Sequence, residues 1–266
     1  MDNTLIYDVG MNTGDDTAYY LHRGYSVVAI EANPELAEHG KSRFAREISD
    51  GRAVVLNVGI AENDGELDFW VCEDNDVWSS FDRSRLLLYE VRHHSVRVKT
   101  RTFSSILDEY GVPFYCKVDI EGHEHICIEQ LTPSTKPRYI SIEMTEGRWP
   151  EDIRSLRELG YDAFKVIDQM SFRVPWRWSP LDAGAGIHPA IANTVARVRT
   201  KVHWTRRPKM RDWSFPWDAS GPFGEDTPGR WLGVEEAIRL CAALQDRSEK
   251  RKAPLWYDIH AAVRAT

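Results

Sequence analysis

Acids and glycines recur in this chain where apolar runs end, which is where side chains can meet a ligand. Leu5-Ile6-Tyr7-Asp8-Val9 is followed at once by Gly10-Met11-Asn12-Thr13-Gly14. Ser26–Ile30 stops at Glu31, and Ala53–Ile60 carries Asn57 and Gly59. Pro113–Val118 runs into Asp119-Ile120-Glu121-Gly122-His123-Glu124, and Tyr139–Met144 contains Glu143. Glycines let a backbone turn sharply and approach a ligand closely. A carboxylate beside such a turn can grip a diol or an ammonium group, or receive a proton from a hydroxyl.

The two glycines of the first turn are spaced G-x-x-x-G, and Asn12 stands where a dinucleotide-binding G-x-G-x-x-G turn has its second glycine. Asp8, Asp15 and Asp16 surround the turn and make it a poor cradle for a pyrophosphate. It suits a ligand with a positive centre and no phosphate, and S-adenosylmethionine, a sulfonium with an amino-acid tail, is such a ligand. Glu31 follows about 20 residues after the turn, the position from which an acid holds a ribose diol. A solvated acid at a strand end is the plainer reading of Glu31. Asn57 is placed for an adenine edge or for a structural amide, and Asn33 caps a helix that Pro34 opens.

These residues must be positioned by alternating strands and helices. Strands are expected at 5–9, 26–30, 53–60, 113–118, 139–144 and 163–167, with helices from Asp15, Pro34, Phe103, His123 and Glu151 between them. That is an α/β fold: a doubly wound, mostly parallel sheet, Rossmann-like, with helices on both faces. Asn63-Asp64-Gly65 reads as a hairpin turn that folds 66–72 back, and 96–102 as an edge strand. Residues 1–168 form the ligand-binding domain in this reading. Residues 169–266 form an irregular C-terminal extension, an acceptor-binding cap packed on the core. Seven of the ten tryptophans lie there: Trp176, Trp178, Trp204, Trp213, Trp217, Trp231 and Trp256. A helix over 234–246 and a strand or helix over 255–263 close it.

Composition bounds the function. The net charge of -7 gives no overall electrostatic footprint for nucleic acid, and no run approaches a membrane span. Met-Asp-Asn-Thr lacks the basic and apolar regions of a signal peptide, and Cys72, Cys116, Cys127 and Cys241 form no C-x-x-C pair. A cytoplasmic protein with buried thiols is expected. Between Arg197 and Arg211 stand seven basic residues and no acid, a solvated face or a seat for an anionic acceptor.

Four segments, taken in order, resemble the FkbM family of methyltransferases: Asp8-Val9-Gly10-Met11-Asn12-Thr13-Gly14, Glu31-Ala32-Asn33-Pro34, Trp78-Ser79-Ser80-Phe81, and Lys117-Val118-Asp119-Ile120-Glu121-Gly122-His123-Glu124. The resemblance covers residues 5–168, with Met11 where the family usually has Ala. It implies a class I fold, S-adenosyl-L-methionine as cofactor, and methylation of a hydroxyl on a saccharide or other small molecule. The cofactor-binding set expected on both grounds is Asp8, Gly10, Asn12, Gly14, Glu31, Asn57, Gly59, Ser80 and Asp119.

Methyl transfer is an in-line displacement, and an alcohol reacts at neutral pH only when its proton has somewhere to go. Asp119, Glu121, His123 and Glu143 are the candidates for that role, with Glu124 a first-turn helix acid. Asp119, Glu121 and Glu143 also offer oxygen ligands for magnesium, but nothing in their spacing demands one, and no metal is expected. His188, His203 and His260 have no metal-ligand spacing, and Asp226 and His260 are further candidates for closing over the acceptor. The competing readings are an RNA methyltransferase using the basic stretch, an NAD-dependent oxidoreductase and a non-catalytic binding module.

Overall fold

Short β-branched and apolar runs buried on both faces form the parallel strands, and amphipathic segments between them form the helices. The structure is a computed structural model, and it describes residues 4–74, 78–88, 91–169, 171–175, 209–210, 212–216, 219–251 and 256–264. The chain begins β1 (Leu5–Val9), α1 (Asp15–His22), β2 (Ser26–Glu31), α2 (Pro34–Arg43), α3 (Ala45–Ser49) and β3 (Ala53–Asn57). After β4 (Gly59–Ile60), β5 (Gly65–Cys72), α4 (Arg83–Leu88) and β6 (His93–Arg101), α5 (Phe103–Tyr110) leads back to the sheet. There follow β7 (Tyr115–Val118), α6 (Glu124–Glu129), β8 (Tyr139–Glu143), α7 (Trp149–Glu158) and β9 (Ala163–Asp168). Beyond them lie β10 (Lys209–Met210), β11 (Trp213–Ser214), α8 (Val234–Arg251) and β12 (Tyr257–Ala262).

The main sheet has seven strands in the order β3-β2-β1-β7-β8-β12-β9. Its strands are parallel from β3 to β8, while β12 runs antiparallel to both of its neighbours. Local chemistry starts and stops the helices. Asn33 accepts a hydrogen bond from Glu35 N at 3.0 Å with Pro34 in the first turn, and Thr102 caps α5 by accepting from Ser105 N at 3.2 Å. One face of the sheet packs against α5 to α8, through residues such as Phe103, Cys127, Ile153 and Leu240. The other packs against α1 to α3 and the segment around Phe215 and Phe223. Among the described residues, no helix is long and apolar enough to cross a membrane.

Two expectations change. Residues 66–72 do not fold back on the preceding strand: β5 pairs antiparallel with β6, and β6 is the middle strand of a three-stranded side sheet, β4-β6-β5. The cause is capture of the turn from the other side. Thr100 Oγ1 donates to Asn63 O at 3.1 Å, and Asp64 Oδ1 accepts from Thr102 N at 2.7 Å.

The stretch after residue 168 is also more than a covering. Leu232, Ala237, Leu240, Cys241, Ile259 and Ala261 belong to the same core as β1 and β7, and β12 is an inner strand of the main sheet. A boundary at 168 therefore does not separate two cores. Phe223 stacks on Tyr115 at 4.1 Å, and the N–H groups of Ser220 and Gly221 bind the Asp16 carboxylate. Trp213 packs on Tyr19 and His22, and Trp231 on Tyr139. Trp176, Trp178, Trp204, Trp217, His188, His203 and nearly all of the basic stretch from Arg197 to Arg211 lie outside the described residues.

Candidate active site

The carboxyl ends of β1, β2 and β7 bound an open cleft of about 880 Å3, counting the solvent in its mouth. The glycine turn forms its floor. The N–H groups of Gly10 and Met11 both reach Ile30 O at 3.0 Å, tying the turn to β2. Gly10 has φ +83°, and a Cβ there would lie 1.8 Å from Asp119 O, so the position tolerates no side chain. Gly14, with φ +86°, starts α1 against the ring of Phe44.

Glu31 faces this turn. One of its oxygens accepts from Asn12 N at 2.7 Å and the other from Asn33 N at 2.8 Å, holding the two corners together. Burial pushes the Glu31 carboxyl up to about 7, against the opposing pull of those two N–H donors. Asn57 Nδ2 donates to the carbonyls of Glu31 and Ala32 at 3.0 and 3.1 Å, bracing the same corner. Met11 is buried against Gly40 of α2, which has no side chain to obstruct it.

Lys117 is the group that reading the sequence passed over. It stands alone among apolar residues on β7, directly across from Asp8 in the register with β1. Its ammonium lies 3.3 Å from Asp8, 3.5 Å from Asp16 and 3.5 Å from Asp119, and donates to Gly10 O at 3.1 Å. Burial pulls this lysine down, but Asp8, Asp119 and Asp16 outweigh it and hold it well above the ordinary lysine range. Asp8 is wholly buried and also accepts from Thr17 Oγ1 at 2.6 Å, so it acts beneath the cleft, through Lys117. The available signal was a lysine inside a buried strand, which needs a counter-charge.

The acids after β7 come together. Single oxygens of Asp119, Glu121 and Glu143 lie within 4.8 Å of one another, a grouping that also suits a hard divalent cation. Glu121 and Gly122 have φ of +57° and +95°, a left-handed pair that turns the chain sharply past the cleft. Glu124 secures that turn from below by accepting from Ile120 N at 3.0 Å, Gly122 N at 3.1 Å and Thr145 Oγ1 at 3.3 Å. Burial raises it to about 7. His123 stands just before α6 with its ring edge-on to Phe81, centroids 6.3 Å apart.

Ser80 pins the 78–81 segment across the cleft by donating to Glu121 O at 3.3 Å. Asp226 pairs with Arg23 at 3.1 Å, and His260 is buried in β12 between Ser141 and Lys165. Neither lines the cleft.

With this geometry in hand, the relationship to known proteins is direct. The methyltransferase FkbM domain matches residues 8–163, more than half of the chain. The chain belongs to the FkbM methyltransferase family. No curated protein matches it. Among solved structures, it is similar to an FkbM methyltransferase from Methylobacillus flagellatus KT at 18% identity and a TM-score of 0.37, covering 53% of this chain and 33% of that one. The chain thus spans about a third of that protein's length.

A precorrin-6y C5,15-methyltransferase from Geobacter metallireducens GS-15 is 12% identical, with a TM-score of 0.36, over 63% of this chain and 68% of its own. An O-methyltransferase of a Brevibacillus brevis trans-AT polyketide synthase multienzyme, in complex with S-adenosyl-L-homocysteine, is 12% identical with a TM-score of 0.39. There the match covers 98% of this chain and 66% of the other.

Proposed function

We propose that this FkbM family member transfers a methyl group from S-adenosyl-L-methionine to a hydroxyl of a saccharide or other small molecule. The observation that carries the reading is the arrangement along one sheet edge: a bare glycine turn, a buried acid facing it on β2, and acids after β7. The cradle fits the cofactor, because the Gly10–Thr13 turn and Glu31 line one open cleft and the surrounding acids favour a cation over a phosphate. When bound, the cofactor supplies an electrophilic methyl on a sulfonium. Glu31 would hold the ribose diol, and Gly10, Asn12 and Gly14 shape the turn beneath it.

Asp119 lies 3.5 Å from Lys117 and lines the cleft, where it is placed for the methionine ammonium. Glu121 and Glu143 then remain for the acceptor's proton, with His123 assisting. The chain's part in the reaction is to align the hydroxyl, exclude water and take one proton as the O–C bond forms and the methyl–sulfur bond breaks.

Titration with S-adenosylhomocysteine in a calorimeter tests the reading, with NADH as the competing arm. Wild-type protein should bind the first and not the second. Glu31→Ala should weaken binding by about 1–3 kcal/mol, the scale of a buried group left unpaired. Binding of NADH alone, or unchanged affinity in Glu31→Ala, refutes the assignment.

A further inference from the structure

The C-terminal part of the chain, outside the matched methyltransferase domain, reaches the cleft at one carboxylate. Asp16 stands in the first turn of α1 and lines the cleft, yet it is only 4% exposed. Its oxygens accept from Ser220 N at 2.9 and 3.0 Å and from Gly221 N at 3.3 Å, partners 204 and 205 residues along the chain. On its other side the same carboxylate lies 3.5 Å from the Lys117 ammonium. That ammonium also meets Asp119 at 3.5 Å and Gly10 O at 3.1 Å.

The turn that supplies the two N–H groups is held in one shape. Gly221 has φ +91°, and a Cβ there would lie 2.9 Å from Phe172 Cδ1, so both the backbone and the space demand glycine. Just beyond it Phe223 stacks on Tyr115 at 4.1 Å. Lys165 of β9 then donates to Gly224 O at 3.3 Å and to Thr227 O at 2.8 Å, clamping the segment past the turn.

We infer that the Ser220-Gly221 turn positions the methionine end of the cofactor site: it fixes Asp16 and, through Lys117, the Asp119 carboxylate and the glycine turn. This rests on the S-adenosylmethionine reading of the cleft. Ser220 and Gly221 do not line the cleft, so they act as positioning residues. Burial pushes the Asp16 carboxyl up to about 6, and Lys117 and the two N–H donors pull against it. Without the turn, Asp16 takes up a proton at neutral pH and the cleft loses a negative charge. A sulfonium feels that loss more than a neutral thioether does.

Calorimetric titration of the full chain with S-adenosylmethionine and S-adenosylhomocysteine, at pH 7.5 and pH 5, tests this. Gly221→Ala should displace the turn and weaken S-adenosylmethionine by about 10- to 100-fold at pH 7.5, with S-adenosylhomocysteine losing about 3- to 10-fold less. Asp16→Asn should give the same pattern, and the double variant should add less than about 2-fold, because both changes act on one carboxylate. At pH 5 the wild-type Asp16 is itself protonated, so the gap to either variant should narrow by about 3-fold or more. Facing Asp16 are Asp8 on β1, Lys117 and Tyr115 on β7, Tyr20 on α1 and Asp258 on β12, and Glu31 titrates in the same range. These groups are common to all four proteins and drop out of the comparison. Linkage makes the effect reciprocal: S-adenosylmethionine should slow amide hydrogen exchange at Ser220 and Gly221 in wild-type protein.

Unchanged exchange at those two amides overturns the inference, as does wild-type affinity in Gly221→Ala or Asp16→Asn. Equal losses for the two compounds, or a gap of the same size at pH 5, overturn it too, since a loosened fold alone would produce them. If Gly221→Ala fails to fold, Asp16→Asn and the exchange measurement decide. Wild-type protein that binds neither compound removes the cofactor reading itself, and this inference with it.

Discussion

Replacing Gly40 with alanine should change sign according to what stands at position 11. Gly40 lies inside α2, and a Cβ there would come within 2.4 Å of Met11 Cε and 2.9 Å of its sulfur. Met11 is buried at 2% exposure between Gly14 and α2 and borders the cleft, so its end must shift within packed surroundings. Overpacking of this kind costs about 1–3 kcal/mol, and alanine for glycine in a helix returns about 1 kcal/mol. Gly40→Ala should therefore destabilise wild-type protein by about 1 kcal/mol.

In a Met11→Ala background the clash is gone, and the same substitution should stabilise by about 1 kcal/mol. The coupling is then about 2 kcal/mol, well above the few tenths expected of independent sites. Met11→Ala alone should cost about 2–4 kcal/mol through the hole it leaves. Urea denaturation of the four proteins, with m-values compared, measures the cycle. An additive cycle would refute the packing argument. A displaced Met11 end should also weaken S-adenosylhomocysteine binding in Gly40→Ala, a second readout that stability alone does not move.

Lys117→Met leaves Asp8, Asp16 and Asp119 without their shared cation and should cost about 3–5 kcal/mol in denaturant titration at pH 8. Part of the loss should return by pH 5, because burial holds the Asp16 carboxyl at about 6; a loss below about 1 kcal/mol, or one independent of pH, contradicts the hub. Glu31 and Glu124 are raised from 4.5 to about 7 by burial, so the folded state favours their protonated forms. Their contribution is full below the unfolded value of 4.5 and is lost as pH rises through about 7, on the order of 3 kcal/mol each, so wild-type stability should fall from pH 5 to pH 8 and Glu124→Gln should flatten the slope.

Much of the site was readable before the fold because its signals are local. A turn needing glycine at two positions, an acid at the next strand end and a D-x-E-G corner each announce themselves within a few residues. What stayed hidden depends on partners far away in sequence. Lys117 acquires meaning only when β7 lies beside β1 and the lysine faces Asp8. Gly40 looks like a weak point in α2 until Met11 is seen against it. Glu124 reads as an ordinary first-turn acid, and only the left-handed step at Glu121 and Gly122 turns two backbone N–H groups toward it. Tyr257-Asp258-Ile259-His260 alternates like a half-exposed strand, yet Asp258 and His260 are buried on the polar side that already carries Lys117 and Lys165.

The position of β12 bears on how the chain reaches this state. β8 and β9 are joined through α7 but never touch, because β12 fills the slot between them. Until residues 257–262 dock, each of those strands presents a row of unpaired N–H and C=O groups, the kind of edge that recruits other chains. Closing that gap means bringing together segments separated by the whole stretch after Asp168, and contacts of such separation form late. The strands on either side of that slot therefore wait on a distant segment for protection, and the window before docking is when self-association competes with folding.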